Sequence, residues 1–119
     1  MAINNELGKQ GEQLATHFLI KNNYTILERN YHFKKYEIDI IAQKENTLAI
    51  IEVKTRSSAY HGNPQDFLKA AQIKRLVTAA NYYIENNKLD LEVRFDIIAI
   101  LKQKNNCTIK HLKNAFYHF

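Results

Sequence analysis

The chain has 119 residues, 45% of them hydrophobic, which is one domain's worth of sequence (1–119) with enough apolar content for a single buried core. Seventeen Lys and Arg against twelve Asp and Glu leave a formal charge of +5, a mild bias toward polyanionic partners such as nucleic acid or an acidic membrane surface. The single Cys107 excludes an internal disulfide framework, the scattered His17, His32, His61, His111 and His118 make a structural zinc site improbable, and Glu6, Lys9 and Glu12 interrupt any early apolar run.

Since no segment approaches the ~20 apolar residues of a membrane span, the expected setting is the reducing cytoplasm, with no membrane partner. Residues 6–22, ELGKQGEQLATHFLIKN, carry Leu7, Gly11, Leu14, Ala15, Phe18 and Leu19 on one helical arc, with Asn5 as N-cap. Gly8 and Gly11 share that arc and predict close approach to a neighbouring element, because glycine inside a helix costs about 1 kcal/mol against alanine. Strands are expected over 24–33, 35–44 and 47–56. A second helix opens on Asn63-Pro64 and places Ile73, Leu76, Val77, Ala80, Tyr83 and Ile84 on its core face. The run LEVRFDIIAIL (91–101) reads as a strand buried on both faces, and CTIKHL (107–112) as an edge strand. The order helix, three strands, helix, one or two strands predicts an α/β fold, a mixed central sheet flanked by helices.

The stretch YEIDIIAQKENTLAIIEVKTR places acids inside two apolar strands. A two-residue turn at Glu45-Asn46, with Asn46 tolerating a positive φ, would oppose Lys44 to Thr47, Ile41 to Ile50, Asp39 to Glu52 and Glu37 to Lys54. Plain alternation then brings the charged residues onto one face together with Ile41 and Ile50. Opposed Asp39 and Glu52 repel unless a positive charge stands between them, and either Lys54 or a divalent cation would serve. Two carboxylates with backbone carbonyls and water make the hard-oxygen set that Mg²⁺ prefers. The bland alternative is a solvated strand with a Glu37–Lys54 ion pair.

The segments GEQLA, ILERNY, EIDIIA, IEVKTR, GNP, RFDIIAI and HLKNAF, in that order and spacing, resemble the bacterial YraN-like family of the PD-(D/E)XK nuclease superfamily, which looks related to archaeal Holliday junction resolvases. The resemblance implies a restriction-endonuclease-like αβββαβ core and phosphodiester hydrolysis. Asp39 corresponds to the metal-binding Asp, Glu52 to the acid and Lys54 to the lysine of the (D/E)XK motif. Glu12 matches the first-helix acid of resolvase-like members. Mg²⁺ or Mn²⁺ would then be held by Asp39 and Glu52, with the Val53 carbonyl and Glu12 as further ligands. Lys54, Arg56 and Gln72 are the residues expected to meet nucleic acid. The chain departs from the resembled pattern at Tyr36, where glycine is common, and at Gln72, where lysine is common.

Arg94 and Asp96, on one face of their strand, read first as a structural ion pair. Tyr24, Tyr31, Tyr36, Tyr60, Tyr82 and Tyr83 read first as core or boundary filler and only second as base-stacking surfaces. The leading functional expectation is a metal-dependent DNA endonuclease acting on branched structures, with a homodimer suggested by the resolvases. Its alternatives are a nucleic-acid binding module that keeps the fold without catalysis, and a protein-interaction domain whose charge is incidental.

Overall fold

The computed structural model describes the chain over residues 2–57 and 69–115, with side chains from Leu7 onward. Helix α1 (Ala2–Lys21) leads into three strands, β1 (Thr25–Phe33), β2 (Tyr36–Lys44) and β3 (Thr47–Ser57). Helix α2 (Ala70–Asn86) then crosses back to β4 (Glu92–Lys102) and β5 (Cys107–Leu112). The five strands lie in one sheet in sequence order. All neighbours are antiparallel except β3 and β4, whose parallel pairing is what the α2 crossover permits. The sheet is therefore mixed and carries a helix on each face, as the element order predicts.

Alternation sorts the apolar residues to the two faces. Leu48, Ile50, Phe95 and Ile97 pack under Leu76, Ala79, Ala80 and Tyr83 of α2. Ala49, Ile51, Ile98 and Ile100 pack under Ala15 and Leu19 of α1. The fully buried aliphatics of β2, β3 and β4 supply most of both layers, each worth about 1.5–3 kcal/mol of burial.

Several expectations about α1 are corrected. The helix starts at Ala2, so Asn5 lies inside it and is not its N-cap. Leu14 is exposed, because the helix rests on the sheet through the smaller Gly11, Ala15 and Thr16 together with Leu19, turning Leu14 off the contact arc. Gly11 is a true close approach: a Cβ there would collide with the Thr55 side chain. Nothing stands near Gly8. Gly11→Ala is therefore expected to destabilise the fold by about 1–3 kcal/mol through overpacking, whereas Gly8→Ala should stabilise it by about 0.5–1 kcal/mol through helix propensity. Urea denaturation of the two variants measures both, and equal shifts of one sign would refute this packing.

In α2, Lys69 holds the N-cap position without a side-chain cap, and the expected opening at Asn63-Pro64 lies outside the described residues. The β2–β3 turn joins Lys44 to Thr47 as expected, but the positive φ, 53°, falls on Glu45 and not on Asn46. Among the described residues, no helix is long and apolar enough to cross a membrane.

Candidate metal centre and basic clefts

The β2–β3 ladder runs regularly from Lys44–Thr47 to Ile40–Ile51 and stops there. Beyond that point β2 continues to pair with β1, and β3 with β4, so the two central strands part and leave a wedge between them. Asp39 stands at its apex. Its Oδ2 accepts the Val53 N–H at 2.8 Å, so a backbone donor that the broken ladder would orphan is satisfied by a side chain.

Simple alternation fails at this position. Asn30 lies between the Arg29–Ile40 and Tyr31–Ile38 pairs, across from Asp39, and adopts a left-handed conformation with φ 52°. Ile38 and Ile41 share the α2-side core, while Ile40 faces α1. The phase of β2 slips by one residue across Asp39, directing its carboxyl into the wedge. The expected direct ladder pairing of Asp39 with Glu52 is thus replaced by a meeting of side chains across an opened seam.

Asp39 and Glu52 do come together: both line one cleft, and the Glu52 carboxyl acts directly on that of Asp39. Burial, then the Glu52 hydrogen bond and charge, push the Asp39 pKa up to about 8, with the Val53 N–H opposing the shift. Glu52 is buried at 7% exposure. Its Oε2 accepts from Gln72 Nε2 at 3.0 Å and lies 3.8 Å from Lys54 Nζ. Glu37 pairs instead with His32 across β1, at 3.2 Å, so the Glu37–Lys54 alternative is not formed.

Two clefts flank the pair. One, of about 220 Å³ on the α2 side, is lined by Lys35, Tyr36, Glu37, Asp39, Glu52, Gln72, Arg75 and Leu76. The other, of about 560 Å³ on the α1 side, is lined by Glu12, Val53, Lys54, Thr55, Arg56 and their neighbours. Lys54 lines the second, and its ammonium lies 3.8 Å from Glu52 of the first. Glu12 approaches from α1 as expected. Its pKa is raised by burial and by the charges of Asp39 and Glu37, while Arg29 and a hydrogen bond from Asn30 work against that rise. Among the described residues no group of three or more His, Cys, Asp or Glu side chains is placed to hold a metal ion.

A second charged cluster lies on the α1 face, further back along β4. Asp96, fully buried, accepts from Arg94 Nε and Nη2, from the Asn114 N–H at 3.0 Å and from His111 Nε2 at 2.8 Å. Arg94 Nη2 also donates to the Tyr24 hydroxyl at 2.6 Å. The Arg94–Asp96 pair is therefore structural, as expected. His111 is a member that spacing alone did not single out; its alternation with Ile109 on an edge strand is the only trace the sequence carries.

The family model for the uncharacterised protein family UPF0102 matches residues 11–100. A UPF0102 protein of Flavobacterium psychrophilum is 59% identical over 119 residues, covering the whole of both chains. Another, from Christiangramia forsetii, is 56% identical over the same full length. A UPF0102 protein of Parabacteroides distasonis is 42% identical over 117 residues, 98% of this chain and 97% of its own. The matched span contains the wedge, both its acids and Gln72, and on this evidence the chain belongs to the UPF0102 family.

Proposed function

We propose that the protein is a divalent-cation-dependent nuclease that hydrolyses DNA phosphodiesters, with branched DNA as its substrate class, acting in the cytoplasm as a homodimer. The observation that carries this reading is the Asp39–Glu52 pair, two carboxyls brought together at an open cleft, where burial and the neighbouring Glu52 raise the Asp39 pKa. A hard divalent cation suits such a pair better than a proton does, because Mg²⁺ commonly takes one or two protein carboxylates and keeps several waters. Asp39 and Glu52 would hold Mg²⁺ or Mn²⁺, with the Val53 carbonyl as a backbone ligand and Glu12 in the surrounding field.

A bound ion supplies Lewis acidity toward water and a phosphate oxygen. The chain's own residues do the rest. Gln72 holds the Glu52 carboxylate in position through its amide. Lys54, with its ammonium 3.8 Å from Glu52 Oε2, would stabilise charge developing on the phosphate. Arg56, Lys35 and Arg75 line the cleft walls along which a phosphate backbone would run. The resemblance of the EIDIIA and IEVKTR segments to resolvase motifs supports branched DNA and a dimer, since two symmetric strands need two cuts.

The binding-module reading is favoured by one observation: Gln72, where the resembled pattern commonly has lysine, donates its amide to Glu52. A panel of linear, flapped and four-way DNA with Mg²⁺, Mn²⁺ or chelator distinguishes the readings. Metal-dependent cleavage of branched DNA is the expected result. Salt-sensitive binding without cleavage in any metal would favour the module. Salt-independent association, or none at low salt, would favour a protein-interaction domain.

A further inference from the structure

The tip of the β1–β2 hairpin carries Phe33-Lys34-Lys35-Tyr36, whose two aromatic rings are half-buried at the edge of the α2-side core. Phe33 stacks face to face on Tyr82 of α2, with ring centroids 4.2 Å apart and planes 26° from parallel. The neighbouring pair in the α2-side core, Tyr31 and Tyr83, meets edge-on at 80°. Offset-stacked and edge-on pairs are both favourable, and in the stacked pair the outer ring lies at the surface. Tyr82 is that outer ring and is 43% exposed. On the other side of Phe33 stands Tyr36, centroids 6.5 Å apart, and Tyr36 lines the cleft that contains Asp39 and Glu52. The three rings therefore run from the acid cleft out to solvent.

Cations accompany them. Lys34 Nζ lies 5.4 Å from the Phe33 ring centroid. Lys35 and Arg75, both exposed, line the cleft beside Tyr36. The nearest acid of the hairpin, Glu37, is engaged by His32. Aromatic faces interleaved with Lys and Arg suit a ligand of stacked bases on a phosphate chain, and suit a duplex poorly because its bases are already stacked on one another.

Resting on the nuclease reading above, we infer that Phe33, Tyr36 and Tyr82 form a stacking platform for unpaired bases next to the cleavage site, so that the substrate carries a single-stranded segment beside the scissile phosphate. Lys34, Lys35 and Arg75 hold the phosphates of that segment. Tyr36 precedes Asp39 by three strand residues, roughly 10 Å. At 3.4 Å of rise per stacked nucleotide this puts the first platform base about three nucleotides from the phosphate at the acid pair.

The test is binding of fluorescently labelled blunt duplex and of the same duplex with a short single-stranded overhang, measured by anisotropy in chelator so that cleavage plays no part. Wild type is expected to prefer the overhang by about tenfold or more, the scale of one stacked base. Tyr82→Leu, at an exposed position, and Phe33→Leu, which keeps an apolar side chain, should each cut that preference sharply while leaving blunt-duplex affinity unchanged. Arg75→Ala should weaken the overhang ligand more than the blunt duplex. Equal affinity of wild type for both DNAs, or a preference that survives both aromatic substitutions, overturns the platform even if the protein cleaves. Overhang preference lost in both variants, with no cleavage in any metal, upholds the platform and overturns the nuclease reading. Absence of DNA binding overturns both.

Discussion

Asp39→Asn is expected to abolish the response of the protein to Mg²⁺ or Mn²⁺ and to lower cleavage by about 10³-fold, the several kcal/mol that a bound ion contributes to a phosphoryl transition state. It should do so without unfolding the protein. Asparagine copies the protonated aspartate: its Oδ1 can still accept the Val53 N–H, and its Nδ2 can donate to Glu52, with the volume unchanged. The pH dependence separates wild type from variant. An unfolded aspartate titrates near 3.9, and folded Asp39 at about 8. Between these values the unfolded chain has released a proton that the folded chain keeps, so the stability Asp39 contributes is complete below about pH 4 and is lost as pH rises toward 8. In chelator, wild type should lose stability over that window, and Asp39→Asn should not lose this contribution, ending as stable as wild type or more so at pH 8. Excess metal should reverse the wild-type loss, by about 2.7 kcal/mol at a hundredfold excess over Kd, and leave the variant unmoved. Thermal melts of both proteins, each with metal and with chelator, make the comparison. Equal metal responses, or a large loss of apo stability in Asp39→Asn, would return Asp39 to a structural role.

Asp96→Ala is expected to have the opposite profile, a large loss of stability of about 3–5 kcal/mol, because it leaves Arg94 and the His111 and Asn114 donors without their buried acceptor. For a domain of this size that corresponds to a fall in Tm of roughly 10–20 °C. Burial works to raise the Asp96 pKa, but hydrogen bonds from His111, Arg94 and the Asn114 N–H outweigh it and hold it below the usual carboxylate value. Its stabilisation is therefore present above about pH 4 and lost as the pH falls through the lowered native value. Acid unfolding should be less steep in the milder Asp96→Asn, whose metal response should stay like that of wild type. Circular-dichroism melts across pH measure both variants. A small stability loss in Asp96→Ala, or loss of the metal response in Asp96→Asn, would show that this cluster belongs to the functional site and not to the framework.

The contrast between these two aspartates marks what the sequence by itself determined. Hydrophobic alternation in IDIIA, LAIIEV and RFDIIAI was enough to place the strands of the mixed sheet within about a residue of their observed ends, because period-two burial is a local property of the chain. The crossover by α2 follows from the same pattern, since a helix between two strands is what makes them parallel neighbours. The acids of the site were legible as charges out of place in apolar runs. Their arrangement was not. Asp39 reaches Glu52 where the β2–β3 ladder ends at Ile40–Ile51, across from a left-handed Asn30 on a third strand. Where that ladder ends depends on a partner strand, so no reading of β2 alone contains it. Leu14 and Gly8 were placed on the core arc by helical periodicity, yet the contact line of α1 was decided by where Thr55 leaves room for Gly11. His111, Asn114 and Tyr24 come to Arg94 and Asp96 only through tertiary packing, and the stacking of Phe33 on Tyr82 joins a hairpin tip to a helix distant in sequence. Local periodicity assigns a residue to an element and a face. Which side chains then meet is set by how elements remote in sequence approach one another, where a displacement of one residue in phase or a single missing Cβ decides the contact.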